Sequence, residues 1–175
     1  TQYTDSYRRL APELLRLLVE TEQNALGWRL LRNDHLVIRR GGDSLVVAGT
    51  ENDGEPPFPN LADTRKSLEG VRPGAFVVML QHDPSAWRRD ILPKTTAQLT
   101  LSGHTHGGQM QFFGHRPTQW RGRPDKGLYE HQGRYLYVNT GLGGLVPFRL
   151  NMPNEITVIT LRTKHRPADP VAKDN

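Results

Sequence analysis

Three histidines in this chain have the spacing and surroundings to bind a metal. His104 and His106 stand one residue apart in Gly103-His104-Thr105-His106-Gly107-Gly108, and His82 lies in Gln81-His82-Asp83-Pro84. An H-x-H pair in a Gly-flanked turn can present both imidazoles to one region, because a turn breaks the side-to-side alternation of an extended strand. The flanking glycines let the backbone approach closely or adopt positive φ. Neutral imidazole is a borderline-soft ligand for Zn, Fe, Mn or Ni. A metal in such a place lowers the pKa of water and polarises a phosphoryl oxygen; in two-metal sites, ions about 3.5–4 Å apart clamp the attacking and leaving oxygens. A lone H-x-H is equally well explained as a pair of hydrogen-bonded loop histidines, and it is His82 that favours a metal. Three imidazoles suffice for a single zinc. A bridged pair of hard ions also wants an Asp, and no carboxylate cluster accompanies these histidines. Asp83 could orient His82 by accepting its ring N–H, or serve only the turn that Pro84 enforces.

The elements that must position these residues can be read from hydrophobic patterning. Ala75–Leu80 is a continuous apolar run, as expected of a strand covered on both faces, and it ends at Gln81-His82-Asp83-Pro84. Ala97–Ser102 reads as a second strand running directly into the H-x-H turn. Two buried strands thus each end in a histidine-bearing loop, and in open α/β sheets ligands gather at the carboxyl ends of strands. Upstream, residues 5–24 read as a helix, with Leu10, Leu14, Leu17 and Leu18 at helical spacing. Trp28–Arg32 and His35–Arg40 read as strands, and Gly41-Gly42-Asp43 turns the chain into a strand over Ser44–Gly49. Pro56, Pro57 and Pro59 exclude regular structure from the loop 51–60. Short helices are expected over Leu61–Leu68 and Ala86–Ile91, and strands over Tyr135–Asn139 and Glu155–Arg162. His115 and His131 fall in polar loop as solvated residues, and His35 and His165 have no motif around them. The alternation of strands and helices points to an α/β (α+β) protein with a mixed sheet and flanking helices. The organisation expected is one domain over residues 1–164 and a disordered tail over 165–175, which is polar and Pro-containing.

Composition narrows the class further. The chain has 175 residues, enough for one domain with a sizeable core, and its 35% hydrophobic and 23% charged content is that of an ordinary globular protein. It has no cysteine, which excludes disulfides, thiolate-bound zinc and thiol catalysis. The longest purely apolar run, Ala75–Leu80, is far below the roughly 20 residues of a membrane helix. No signal peptide is visible at the N-terminus; the chain does not begin with Met, so the compartment stays open. The net charge of +5 suits a site for anionic groups such as phosphate, and a solvated basic surface gives the same excess. The arginines are scattered and no dense basic block is interleaved with aromatics, so nucleic acid is not an expected partner.

Taken in order, Leu80-Gln81-His82-Asp83-Pro84, Leu101-Ser102-Gly103-His104-Thr105-His106-Gly107-Gly108-Gln109, Gly127-Leu128-Tyr129, Leu136-Tyr137-Val138-Asn139, Gly141-Leu142-Gly143, Pro147, Arg149 and Pro153-Asn154-Glu155-Ile156 resemble the calcineurin-like metallophosphoesterases, most closely a bacterial branch that often carries an N-terminal membrane segment. The resemblance covers nearly the whole chain. It implies a four-layer α/β/β/α sandwich with a dinuclear metal centre between strand ends, of which this chain would be the C-terminal half. It also implies that His82 and His104 bind one metal and His106 the other, the ions being Mn, Fe, Zn or Mg. The family's remaining ligands come from earlier D-x-H, G-D-x-x-D and G-N-H-D/E motifs, which do not occur here. The expectation is therefore a phosphoesterase of phosphate mono- or diesters in the full-length parent, membrane-associated in that branch, and a chain inactive alone that binds one metal or none. Substrates implied are phosphorylated small molecules or lipid-linked phosphates. Gln109 and Arg149 could help hold such an anion; Arg149 could equally pair with a carboxylate. Glu51 and Asn52 could line the site or merely turn the chain. The reading from another class is a non-catalytic metal-binding or assembly module.

Half of a sandwich leaves a sheet face and a strand edge uncovered, and such surfaces associate. The isolated chain is expected to self-associate or to need the other half. Light scattering should report a dimer or larger species; a well-behaved monomer at high concentration would count against this.

Overall fold

The computed structural model describes residues 17, 19–21, 23–54 and 60–162. The expected helix over 5–24 lies largely outside these, as does the tail over 165–175; the described residues between 17 and 26 are helical. No helix among the described residues is long and apolar enough to cross a membrane.

Among the described residues, six strands form one mixed sheet in the order β1-β2-β3-β4-β6-β5. They are β1 Asp34–Arg40, β2 Asp43–Gly49, β3 Phe76–Leu80, β4 Leu99–Ser102, β5 Gly127–His131 and β6 Arg134–Val138. The expected turn at Gly41-Gly42 joins β1 and β2 as an antiparallel pair with Arg40 opposite Asp43. The four central strands β2, β3, β4 and β6 are parallel, so the chain leaves all of them at the same edge of the sheet. That edge carries every candidate site residue named above as a metal ligand.

One face of the sheet forms the core. Val46, Ala48, Val77, Met79, Leu136 and Val138 pack there against Trp87, Ile91 and Ala97. Trp87–Ile91 and Leu92–Lys94 form one short helical segment, a π turn running into an α turn, and it covers this face. Arg134 fastens its end to β6: the guanidinium donates to the carbonyls of Ile91, Leu92 and Ala97, which satisfies carbonyls that a helix end leaves orphaned. The opposite face is more open, with Ile38, Phe76, Leu80, Leu128 and Tyr135 all exposed.

Several sequence expectations are corrected. Trp28–Arg32 is not a strand. Asn33 adopts a left-handed conformation (φ 52°) and turns the chain, its side chain accepting from the Glu51 and Asp63 amides and donating to the Leu61 carbonyl. Leu31 then crosses the backbone of Gly49 too closely for any side chain there, an added Cβ coming within 2.7 Å of the Leu31 Cβ. The helix expected over Leu61–Leu68 is a single 3-10 turn, Lys66–Leu68, begun by Asp63 accepting from the amides of Arg65 and Lys66. Glu155–Arg162 forms no strand: its contacts with β6 run through side chains, and no backbone ladder reaches it among the described residues. Conversely β5 forms where the sequence reading placed only loop, because Gln132 and Gly133, both at positive φ, make the two-residue turn that a hairpin prefers.

Trp87 is the largest fully buried side chain. Trp87→Ala should destabilise the fold by about 3–5 kcal/mol, readable as a lower denaturant midpoint. A loss under about 1 kcal/mol would mean that the helical segment does not close the core.

Candidate functional site

The Leu101 carbonyl accepts from the Gln81 amide and the His82 carbonyl from the Gly103 amide, so the parallel β3–β4 pairing continues past both strand ends. This brings His82 beside His104, their rings edge to face with centroids 5.2 Å apart. His106 lies on the turn that follows, its Nδ1 against Gly141 after β6, where an added Cβ would come within 3.6 Å. The three histidines line an open cleft of about 640 Å³ with Ser85, Arg123 and Asp125.

The turn itself is unusual. His104, His106, Gly107, Gly108 and Gln109 all have positive φ, and within this stretch Thr105 alone is right-handed (φ −78°). Each non-glycine residue in that region costs on the order of 1–3 kcal/mol and persists only where the surroundings over-determine it. Those surroundings are visible. Gly107 is seated against Met152 and Thr140, and Gly108 against Thr118, so closely that an added Cβ would come within 2.8 and 3.0 Å respectively. The glycines are thus needed for close approach as well as for φ.

Burial holds the His82 imidazole below its ordinary pKa; the neighbouring His104 and His106 push the same way, and Asp83 opposes them. The neutral ring is the form that ligates a metal. His106 Nδ1 is buried with no hydrogen-bond partner, a costly arrangement unless something accepts its lone pair or proton. Donor chemistry and the orphaned nitrogen both fit a divalent ion. The set is nevertheless incomplete: among the described residues no group of three or more His, Asp or Glu closes to metal-binding geometry. The buried carboxylates nearby are committed elsewhere, Asp125 to Arg116 and Asp53 to Arg89.

The remaining sequence candidates have other work. Asp83 Oδ1 accepts from the Ser85 amide at 2.8 Å, the turn role, while its charge still acts on His82. Arg149 donates to the carbonyls of Thr140, Gly141, Gly143 and Pro153, with no carboxylate partner among the described residues. Gln109 is buried and spans to Leu145, Val146 and Phe148. Both residues brace the 140–150 loop around the cleft. Glu51 receives the Arg32 fork at 3.1 and 3.2 Å, and the Asn52 carbonyl accepts from the Leu61 amide; both serve the chain reversal. Residues that the sequence reading passed over are Asp125, two per cent exposed, and Thr105, whose hydroxyl donates to the Asp125 carbonyl at 2.6 Å. A lone Asp in a polar loop carries no spacing signal, so only the fold could reveal it.

No family model matches the chain, but curated relatives do. It is 32% identical over 142 residues to an uncharacterized metallophosphoesterase of Aquifex aeolicus, covering 79% of this chain and 52% of that protein. It is 33% identical over 147 residues to the uncharacterized metallophosphoesterase YkuE of Bacillus subtilis, covering 78% and 48%. The chain belongs to the metallophosphoesterases. A Danio rerio protein named as a transmembrane protein with a metallophosphoesterase domain is 34% identical over 150 residues, covering 79% of this chain and 33% of that protein. The chain spans about half the length of the bacterial relatives it matches. No solved structure matches it. Membership makes this a chain of a hydrolase family that uses divalent metals, and the mixed sheet is consistent with the metallophosphoesterase sandwich.

The stretch after β6 is tied down by Glu155, which accepts from the Tyr137 hydroxyl, the Thr140 amide and hydroxyl, and the Thr157 hydroxyl. Burial works against the carboxylate, but these donors outweigh it and bring its pKa down from 4.5 to about 2. A depressed carboxylate contributes stability that is present above its unfolded pKa and lost as pH falls toward the folded one. Glu155→Gln should therefore cost on the order of 1–3 kcal/mol at pH 7 and flatten the stability loss between pH 4.5 and 2. Superimposable urea-midpoint profiles for the two proteins would refute the assignment.

Proposed function

We propose that this chain supplies the imidazole half of a metal centre that hydrolyses phosphoesters. His82, His104 and His106 are the ligands, and the full-length parent cleaves phosphate mono- or diesters by metal-activated water. The observation that carries this reading is the edge-to-face approach of His82 and His104 at two adjacent parallel strand ends, in a cleft that His106, with its buried and partnerless Nδ1, also lines. When bound, the metal supplies a Lewis acid that acidifies water and polarises the phosphoryl oxygen. The chain's own residues hold that place open: the positive-φ turn aims His104 and His106 into the cleft, and Gln109 and Arg149 keep the 140–150 loop at its rim. Arg123, which lines the cleft, offers positive charge to an anionic phosphate.

By the same reasoning the chain alone does not turn over. A bridged pair of hard ions requires carboxylate ligands, and the buried Asp53 and Asp125 are held by arginines. The substrate we infer is a phosphorylated small molecule or a lipid-linked phosphate. Association of the parent with a membrane belongs to the same proposal, since the Bos taurus and Danio rerio relatives are named as transmembrane proteins.

Metal content after loading with Mn, Fe or Zn should be substoichiometric to one per chain and should fall in His104→Ala and His106→Ala. Unchanged content in both variants would sink the ligand assignment. With p-nitrophenyl phosphate and bis(p-nitrophenyl) phosphate the chain should show no turnover; metal-dependent hydrolysis by it would overturn the claim of inactivity.

A further inference from the structure

Metal-binding histidines are ordinarily oriented by a hydrogen bond from the second ring nitrogen to a carboxylate or carbonyl. Among the described residues none of the His82, His104 and His106 rings makes such a bond, and the His106 Nδ1 is buried without a partner. Orientation at this site is left to ring packing and to the backbone. The backbone between His104 and His106 has one side chain available to fix it, that of Thr105.

Thr105 is held at three atoms. Its amide donates to the Gly103 carbonyl at 2.7 Å, its carbonyl accepts from the Gly108 amide at 2.8 Å, and its hydroxyl donates to the Asp125 carbonyl at 2.6 Å. The first two bonds are internal to the turn and move with it. The third crosses twenty residues of sequence to a different loop, so it alone ties the turn to something outside itself through this residue.

What it is tied to is rigid. Asp125 is two per cent exposed and uses every polar atom it has. Its carboxylate accepts the Arg116 fork at 2.8 and 3.1 Å, the Thr118 hydroxyl at 2.6 Å and the Tyr129 hydroxyl at 3.2 Å. Its amide donates back to the Tyr129 oxygen at 3.1 Å. Tyr129 belongs to β5, so the anchor is referenced to the sheet. Thr118 also packs against Gly108, which clamps the turn a second time from the same group of residues.

We propose that Thr105 is a positioning residue that sets the two histidines of the H-x-H turn, with Asp125, locked by Arg116, Thr118 and Tyr129, as its anchor. This rests on the ligand assignment above, and it assigns a role to residues that touch neither metal nor substrate. A hydroxyl between two ligands does the work that a ring-orienting carboxylate does elsewhere, by fixing backbone φ and ψ instead of ring rotation.

The test uses Thr105→Val, which keeps the β-branched shape and loses the donor, and Thr105→Ser, which restores the donor. Cobalt(II) titration of the whole chain, followed by its visible absorption, should show Thr105→Val weakened about 10- to 100-fold with an altered spectrum, and Thr105→Ser close to the parent protein. The Gly107 amide donates to the Thr105 hydroxyl itself, so the informative site is the Gly108 amide, whose hydrogen exchange in the metal-free proteins should speed up in Thr105→Val only. Parent-like exchange in Thr105→Val overturns the proposal, and so does parent-like cobalt affinity and spectrum. If the parent protein binds no cobalt, the ligand assignment fails, and the exchange measurement still decides whether Thr105 positions the turn.

Discussion

The parallel pairing of β3 with β4 is the constraint from which the site follows. Parallel neighbours discharge their chains at the same edge, and here the pairing persists beyond the strands through the amides of Gln81 and Gly103. Residues some twenty positions apart are thereby delivered to one place without any direct bond between them. An antiparallel arrangement of the same two segments would put His82 and His104 at opposite ends of the sheet. The helical segment from Trp87 to Lys94 is what makes the parallel arrangement possible, since it is the crossover between the two strands and buries the face they share.

A second consequence is the division of labour among the polar residues around the cleft. Acidic groups close to the histidines are spent on structure. Asp125 pairs with Arg116, Asp53 with Arg89, and Glu155 with hydroxyls and an amide. Burial would raise the Asp125 pKa, but hydrogen bonds from Arg116 and Thr118, the Arg116 charge and Tyr129 outweigh it and keep the group ionised. The chain therefore presents imidazole and guanidinium to the cleft while its carboxylates hold the walls. The proposed metal centre would accordingly take its charge-neutralising ligands from groups other than these carboxylates.

How legible this was in the sequence depended on how local each signal is. The run Ala75–Leu80 and the Gly41-Gly42 turn carry their instructions within a few residues, and both formed as expected. Trp28–Arg32 and Glu155–Arg162 looked like strands by composition, yet a strand exists only with a neighbour to take its backbone bonds, and neither has one among the described residues. The hairpin of β5 was missed because Gln132-Gly133 is a weaker turn signature than Asn-Gly. Arg149 and Gln109 read in the sequence as groups that could hold an anion, but residue type alone does not say whether a guanidinium or an amide will meet an anion or, as here, the backbone of a loop.

The sequence by itself determined the kind of chemistry. The H-x-H turn with its glycines, the upstream His-Asp-Pro and the apolar runs before them are contiguous patterns, so their meaning survives without coordinates. The tertiary structure alone decided that His82 and His104 meet edge to face and share a cleft with His106, that the turn is left-handed through its histidines, and that Thr105 is moored to Asp125. Those facts depend on strand direction and on contacts across twenty or more residues, which arise from burial of a shared face and leave no periodicity in the chain.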